Sequence, residues 1–247
     1  GGHITTESAA RTEWGVEDDA LLAFVTNTVA RDQDRPSFNI IMTTSYHPPY
    51  DLDVRKRGFT LKEIPPDLAP LYDGSTTLNM LGHLWYSDQC IGSFVRKTEN
   101  QIPRALFAFT GDHFSRKYLN IHPQAYEGTA VPFILYGKDV LKNVRPPRQI
   151  AGSHLDIGPT LIELTAPKGF HYAAQGANIL SPHAGPFGIS RDWVIGPDFL
   201  FNANDLRFFP LPHKELPANL PDSAALRRSR DRLHGIAWWR IMRGPGL

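Results

Sequence analysis

Arg104-Ala105-Leu106-Phe107-Ala108-Phe109-Thr110-Gly111-Asp112-His113 decides how this chain reads. Seven largely apolar residues, stopped by a glycine, make a short buried strand. A carboxylate and an imidazole follow it at once. Open α/β sheets collect ligands beyond the C-terminal ends of their strands, so the pair stands where chemistry is usually placed.

Upstream, Phe38-Asn39-Ile40-Ile41-Met42-Thr43-Thr44 predicts a second buried strand. Ser45-Tyr46-His47-Pro48-Pro49-Tyr50 follows it, and its prolines force a loop. Downstream, Val131–Tyr136 predicts a third strand. Between these runs the apolar spacing becomes helical. Leu21, Leu22, Val25 and Val29 follow the acids Glu17, Asp18 and Asp19, which favour a helix N-terminus. A longer helix is predicted from Thr76 to about Lys97, and another from Ser153 to Leu164 with Pro159 in its first turn. The alternation predicts an α/β fold with a mainly parallel sheet up to about residue 166. Beyond it, Asp192–Ile195 and Phe199–Phe201 flank Gly196-Pro197-Asp198 as an antiparallel hairpin, and Asp222 or Ser223 caps a last helix to about Met242. Two parts are expected, 1–180 and an appended hairpin and helix at 181–247.

Composition narrows the function. The chain has 247 residues, 41% hydrophobic and 21% charged, as a globular core requires. A net charge of +1 argues against a general nucleic-acid binder, which needs a basic excess. One cysteine, Cys90, excludes an intrachain disulfide and any Cys-x-x-Cys metal site. No apolar run approaches a membrane span, and the first residues lack the layout of a signal peptide.

Asp112 and His113 suit a divalent cation. Alone, such a pair also reads as a turn cap beside a surface histidine, and two ligands do not complete a site. His47 follows its strand as Asp112 follows the other; it could contact a phosphate or sulfate oxygen, or be an idle histidine in a rigid turn. Asp156 reads best as a helix cap. His154 beside it is a candidate for a group near the site. Arg116 could pair an anionic oxygen, or be one more surface arginine. The remaining histidines, His83 among them, have no ligand spacing. The arginines at 227, 228, 230 and 232 read as a solvated helix face.

Six blocks together resemble the lipoteichoic-acid-synthase and sulfatase-like branch of the alkaline phosphatase superfamily. They are Glu13–Asp18, Thr43–Tyr50, Trp85–Gly92, Thr110–His113, Val131–Tyr136 and Ser153–Thr160. The resemblance implies an αβα sandwich, a hydroxyl or formylglycine nucleophile, and a divalent metal: Mn, Mg, Zn or Ca. It implies that Asp112 and His113 are metal ligands and that His47 touches the substrate's anionic group; His154, at a position that varies within the family, is a candidate for a group behind them, as Arg116 is by its place three residues past His113. The substrate would be a phosphate or sulfate ester, with glycerophosphate of a membrane phospholipid head group favoured, on the extracytoplasmic face of the membrane or in the periplasm. In this family the first metal-binding acid and the nucleophile precede the Trp-Gly block, and only twelve residues precede Glu13 here. The expectation is therefore a C-terminal portion whose partner is the N-terminal segment of the same protein. Phe114 stands where many relatives have glycine. A rival expectation is a non-catalytic regulatory or lipid- or partner-binding module that keeps the fold.

Overall fold

A computed structural model describes residues 11–12, 15–31, 35–72, 74, 76–114, 122–147, 150–181, 185 and 187–244. They divide into two compact units. The first takes the described residues up to 111, with 122 and 132–139; the second takes 112–114, 123–131 and 140 onward.

In the first unit, a small ladder of β1 (Arg11–Thr12) and β2 (Gly15–Val16) leads into α1 (Asp18–Val29). The long α2 (Leu78–Gln101) starts where the Thr77 hydroxyl accepts the Met80 N–H at 3.2 Å. Tyr86, Cys90 and Phe94, four residues apart, form one stripe on α2. That stripe packs with Leu22 of α1 and Phe107 of β3 (Phe107–Thr110) into a core cluster. Phe94 and Phe107 meet edge to face at 5.7 Å. The hydroxyls of Thr26 and Thr98, 3.1 Å apart, join α1 to α2 where apolar contact ends. Gly82 lets the irregular run after Asp51 lie on α2, because a Cβ there would stand 2.5 Å from Val54 Cγ2.

Cys90 sits in this core, and burial pushes its thiol up to about 11. Its thiolate is therefore scarce at neutral pH. Iodoacetamide labelling of the folded chain is expected to be on the order of a hundredfold slower than in urea-unfolded chain. Equal rates, read by intact mass against time, would place Cys90 outside the core.

The sheet departs from expectation. β3 pairs with β4 (Phe133–Tyr136), and the pairing is antiparallel, Phe107 opposite Tyr136 and Thr110 opposite Phe133. Every pairing among the described residues is antiparallel, so the mainly parallel sheet is corrected. A parallel pair needs a crossover helix, and the described residues between β3 and β4 contain none. The run Phe38–Thr44 is not in a ladder. Among the described residues its backbone makes no ladder bond, and Phe38, Ile40 and Met42 are 76%, 85% and 74% exposed. Only Ile41 packs against the core.

The second unit contains α3 (Lys138–Leu141), of which Lys138 and Asp139 belong to the first, then α4 (His154–Thr165). Pro159 falls in the second turn of α4 rather than the first, because the helix begins at His154. The expected hairpin is the centre of a four-stranded antiparallel sheet: β5 (Gly188–Ile189), β6 (Trp193–Ile195), β7 (Phe199–Asn202) and β8 (Arg207–Pro210). Val194, Phe199, Phe201 and Ala203 pack with Leu226 of α5 (Ser223–Arg243) into a second core cluster. The Asp222 carboxylate caps α5 by accepting the Ala224 N–H at 2.9 Å.

Candidate functional site

Two loops follow apolar runs and carry the sequence candidates, one in each unit. In the first unit the loop after Thr44 is held by the start of α1. Asp18 is fully buried, and its Oδ1 accepts the N–H of Thr44 at 2.9 Å and of Ser45 at 3.0 Å. Its Oδ2 accepts the Ser87 hydroxyl of α2 at 2.8 Å. In return the Asp18 N–H donates to Ser45 Oγ at 2.9 Å. His83, one turn before Ser87 on α2, donates from Nδ1 to the Ser45 carbonyl at 2.6 Å. A carbonyl only accepts, so this bond fixes the tautomer of neutral His83 with the lone pair on Nε2, a buried atom with no hydrogen-bond partner among the described residues.

That clamp positions His47, two residues on. The turn is closed by the Tyr50 N–H on the His47 carbonyl at 3.2 Å, and Tyr50 takes a left-handed φ of 60°. The Tyr50 ring meets His83 edge-on at 5.3 Å. His47 is exposed, with Nδ1 donating to the Pro48 carbonyl at 2.7 Å. Glu17, beside Asp18, is buried and paired with Arg57, and it accepts the Tyr86 hydroxyl at 3.3 Å. Burial raises the Glu17 carboxyl above the ordinary range, against the pull of the Arg57 guanidinium.

Asp112 and His113 follow β3 in the chain and belong to the second unit. The His113 N–H donates to Asp112 Oδ1 at 2.9 Å, and Nδ1 donates to the Phe114 carbonyl at 2.6 Å. The lone pair of neutral His113 is therefore on Nε2, which stands 3.7 Å from Asp112 Oδ1. Both side chains are more than half exposed. One cation reaches ligands of this kind over bonds of about 2.0–2.2 Å each, so a 3.7 Å separation fits two positions of a donor set. Among the described residues no group of three or more acidic, histidine or cysteine side chains is arranged to hold a metal.

Asp156 takes the structural part expected of it. Its Oδ2 accepts the Ser153 N–H at 2.7 Å and its Oδ1 the Ala177 N–H at 2.9 Å, which ties the start of α4 to a distant loop. It also lines a small cavity with Gln175, Gly176 and Phe187. His154 is the exposed first residue of α4. Arg116 lies outside the described residues. Asp18, Ser87 and His83 went unrecognised in the sequence. The available signal was a buried-type apolar stripe on α2 interrupted by His83 and Ser87 at i and i+4, opposite an acid at a helix start.

The sulfatase family model matches residues 3–167 of this chain. The chain belongs to the sulfatase family. The lipoteichoic acid synthase-like protein YvgJ of Bacillus subtilis (strain 168) is 22% identical over 218 residues, covering 82% of this chain and 34% of that protein. A crystal structure of an alkaline phosphatase superfamily protein from Vibrio parahaemolyticus superposes with a TM-score of 0.59 at 20% identity, over 96% of this chain and 57% of the other. The fold is thus of the alkaline phosphatase superfamily, as the sequence blocks implied. This sulfatase-family chain spans about a third of the length of the Bacillus relative.

Proposed function

We propose that this chain forms part of a metal-dependent enzyme that transfers or hydrolyses phosphate or sulfate esters. The observation that carries the reading is the Asp112–His113 pair, whose Nε2 and Oδ1 stand 3.7 Å apart directly after a strand end. Membership of the sulfatase family supports it, since ester chemistry at a divalent cation is that family's general business. Asp112 and His113 would hold the cation, which when bound supplies positive charge for the transferring group and makes a hydroxyl nucleophile at neutral pH. His47 would meet the ester's anionic group. With Nδ1 given to the Pro48 carbonyl, Nε2 donates to an ester oxygen only in the doubly protonated ring. The clamp of Asp18, Ser45 and His83 fixes where that ring stands before substrate arrives. The nucleophile and the other ligands come from polypeptide that the longer relatives possess in addition. Residues 1–180 would then be catalytic-domain sequence and 181–247 an appendage. A glycerophosphate group from a phospholipid is the favoured substrate, following the synthase-like relative, and an extracytoplasmic location accompanies it.

Metal content and hydrolysis of bis-p-nitrophenyl phosphate and p-nitrophenyl sulfate test the reading, measured on a family-length protein containing this chain and on the 247 residues alone. The expected result is stoichiometric metal and turnover in the long protein and neither in the short one. Stoichiometric metal in the short one would move the ligands elsewhere. Neither property in either protein would leave a non-catalytic module.

A further inference from the structure

Among the described residues the helix α5 is tied down at one end only. Leu226 is in the second core, and Arg230 donates to the Arg191 carbonyl at 3.0 Å and more weakly to the Ala203 carbonyl at 3.4 Å. From Ile236 to Arg243 every side chain but the half-buried Ala237 lies open. Ile236, Trp238, Trp239, Ile241 and Met242 are all exposed, Trp238 by 65% and Ile241 by 80%. At the helical spacing these five cover roughly 220° of the circumference.

The charges follow the same division. α5 holds six arginines against one aspartate, in a chain whose net charge is +1. Arg227, Arg228 and Arg230, near the anchored end, pair with Asp222 and Asp231. Arg232, Arg240 and Arg243 make no ion pair among the described residues. The open end is therefore both apolar and cationic.

We infer that the last two turns of α5 are a docking surface for an anionic lipid bilayer. A groove in a protein covers one stripe of a helix, about 100° wide, and would leave half of these side chains in water. A fluid interface closes around all of them. Adjacent indoles favour the boundary between headgroup and acyl chain, where the ring is buried and the N–H stays wet. Arg240 and Arg243 can lay their stems along that apolar surface and carry the guanidinium to lipid phosphates. No helix among the described residues is long and apolar enough to cross a membrane, so α5 docks at the surface and does not span. None of this depends on the proposed ester chemistry.

Co-sedimentation of the 247-residue chain with sucrose-loaded vesicles tests the inference, using phosphatidylcholine alone against phosphatidylcholine mixed with phosphatidylglycerol. Binding is expected to the anionic vesicles and to fall with added salt. Trp238→Ser with Trp239→Ser, and separately Arg240→Glu with Arg243→Glu, should each weaken it by about tenfold or more. Circular dichroism confirms that the variants remain folded. No pelleting, equal pelleting with neutral vesicles, or pelleting that neither pair alters would overturn the inference. So would a dimer that the tryptophan pair abolishes without any vesicle binding, since a second copy would then be the partner.

Discussion

Alanine at both Asp112 and His113, in a family-length protein, is expected to lower ester turnover by about a thousandfold or more, roughly 4 kcal/mol of barrier. The cation should be lost with it. Among the described residues the two side chains bond to little besides each other's residue and Phe114, and both are more than half exposed, so stability should barely change. That separation makes the test clean. Folding is read by circular dichroism, metal by mass spectrometry and rate by p-nitrophenol release. His113→Asn is a useful companion, because it keeps a polar side chain but removes the Nε2 lone pair. Full activity in the double alanine variant would remove the pair from the metal site.

Asp18→Ala should have the largest effect on stability. It takes an acceptor from two backbone N–H groups and a serine hydroxyl at once, in a place without solvent. A buried donor left unmet costs about 1–3 kcal/mol, so a loss of about 3–4 kcal/mol is expected for the cluster. Urea unfolding followed by circular dichroism reads it as a lower midpoint. Ser87→Ala, which removes one of the three bonds, should lose about 1 kcal/mol. An unchanged midpoint for Asp18→Ala would mean that water replaces the carboxylate and that the loop bearing His47 is not held from α1.

The helices were legible because their ends are written in side chains. Thr77 and Asp222 accept from the first turns of α2 and α5, and the apolar spacing of both helices follows the period. The hairpin around Gly196-Pro197 was legible from its turn. Its neighbours were not: β5 has two residues, and β8 ends on a proline, so neither has a pattern long enough to read. Strand direction was out of reach. Alternating strands and helices suggest parallel order, whereas β3 and β4 meet antiparallel, with no crossover helix described between them. The site was half legible. Adjacent ligand types after a strand can be recognised locally. The clamp of Asp18, Ser45, His83 and Ser87 joins residues up to 69 positions apart, and no local pattern announces that.

The open run Phe38–Thr44 gives the polypeptide a race against time in a crowded cell. It is seven residues without a charge, rich in β-branched side chains, and among the described residues its backbone makes no ladder bond, only Thr44 at its end being held by Asp18. Any other exposed strand that meets it can zip onto it, and such pairing between molecules is slow to reverse. Association between molecules through this run is the expected route by which the chain is lost to aggregation, and raising the stability of the two cores does little to close it.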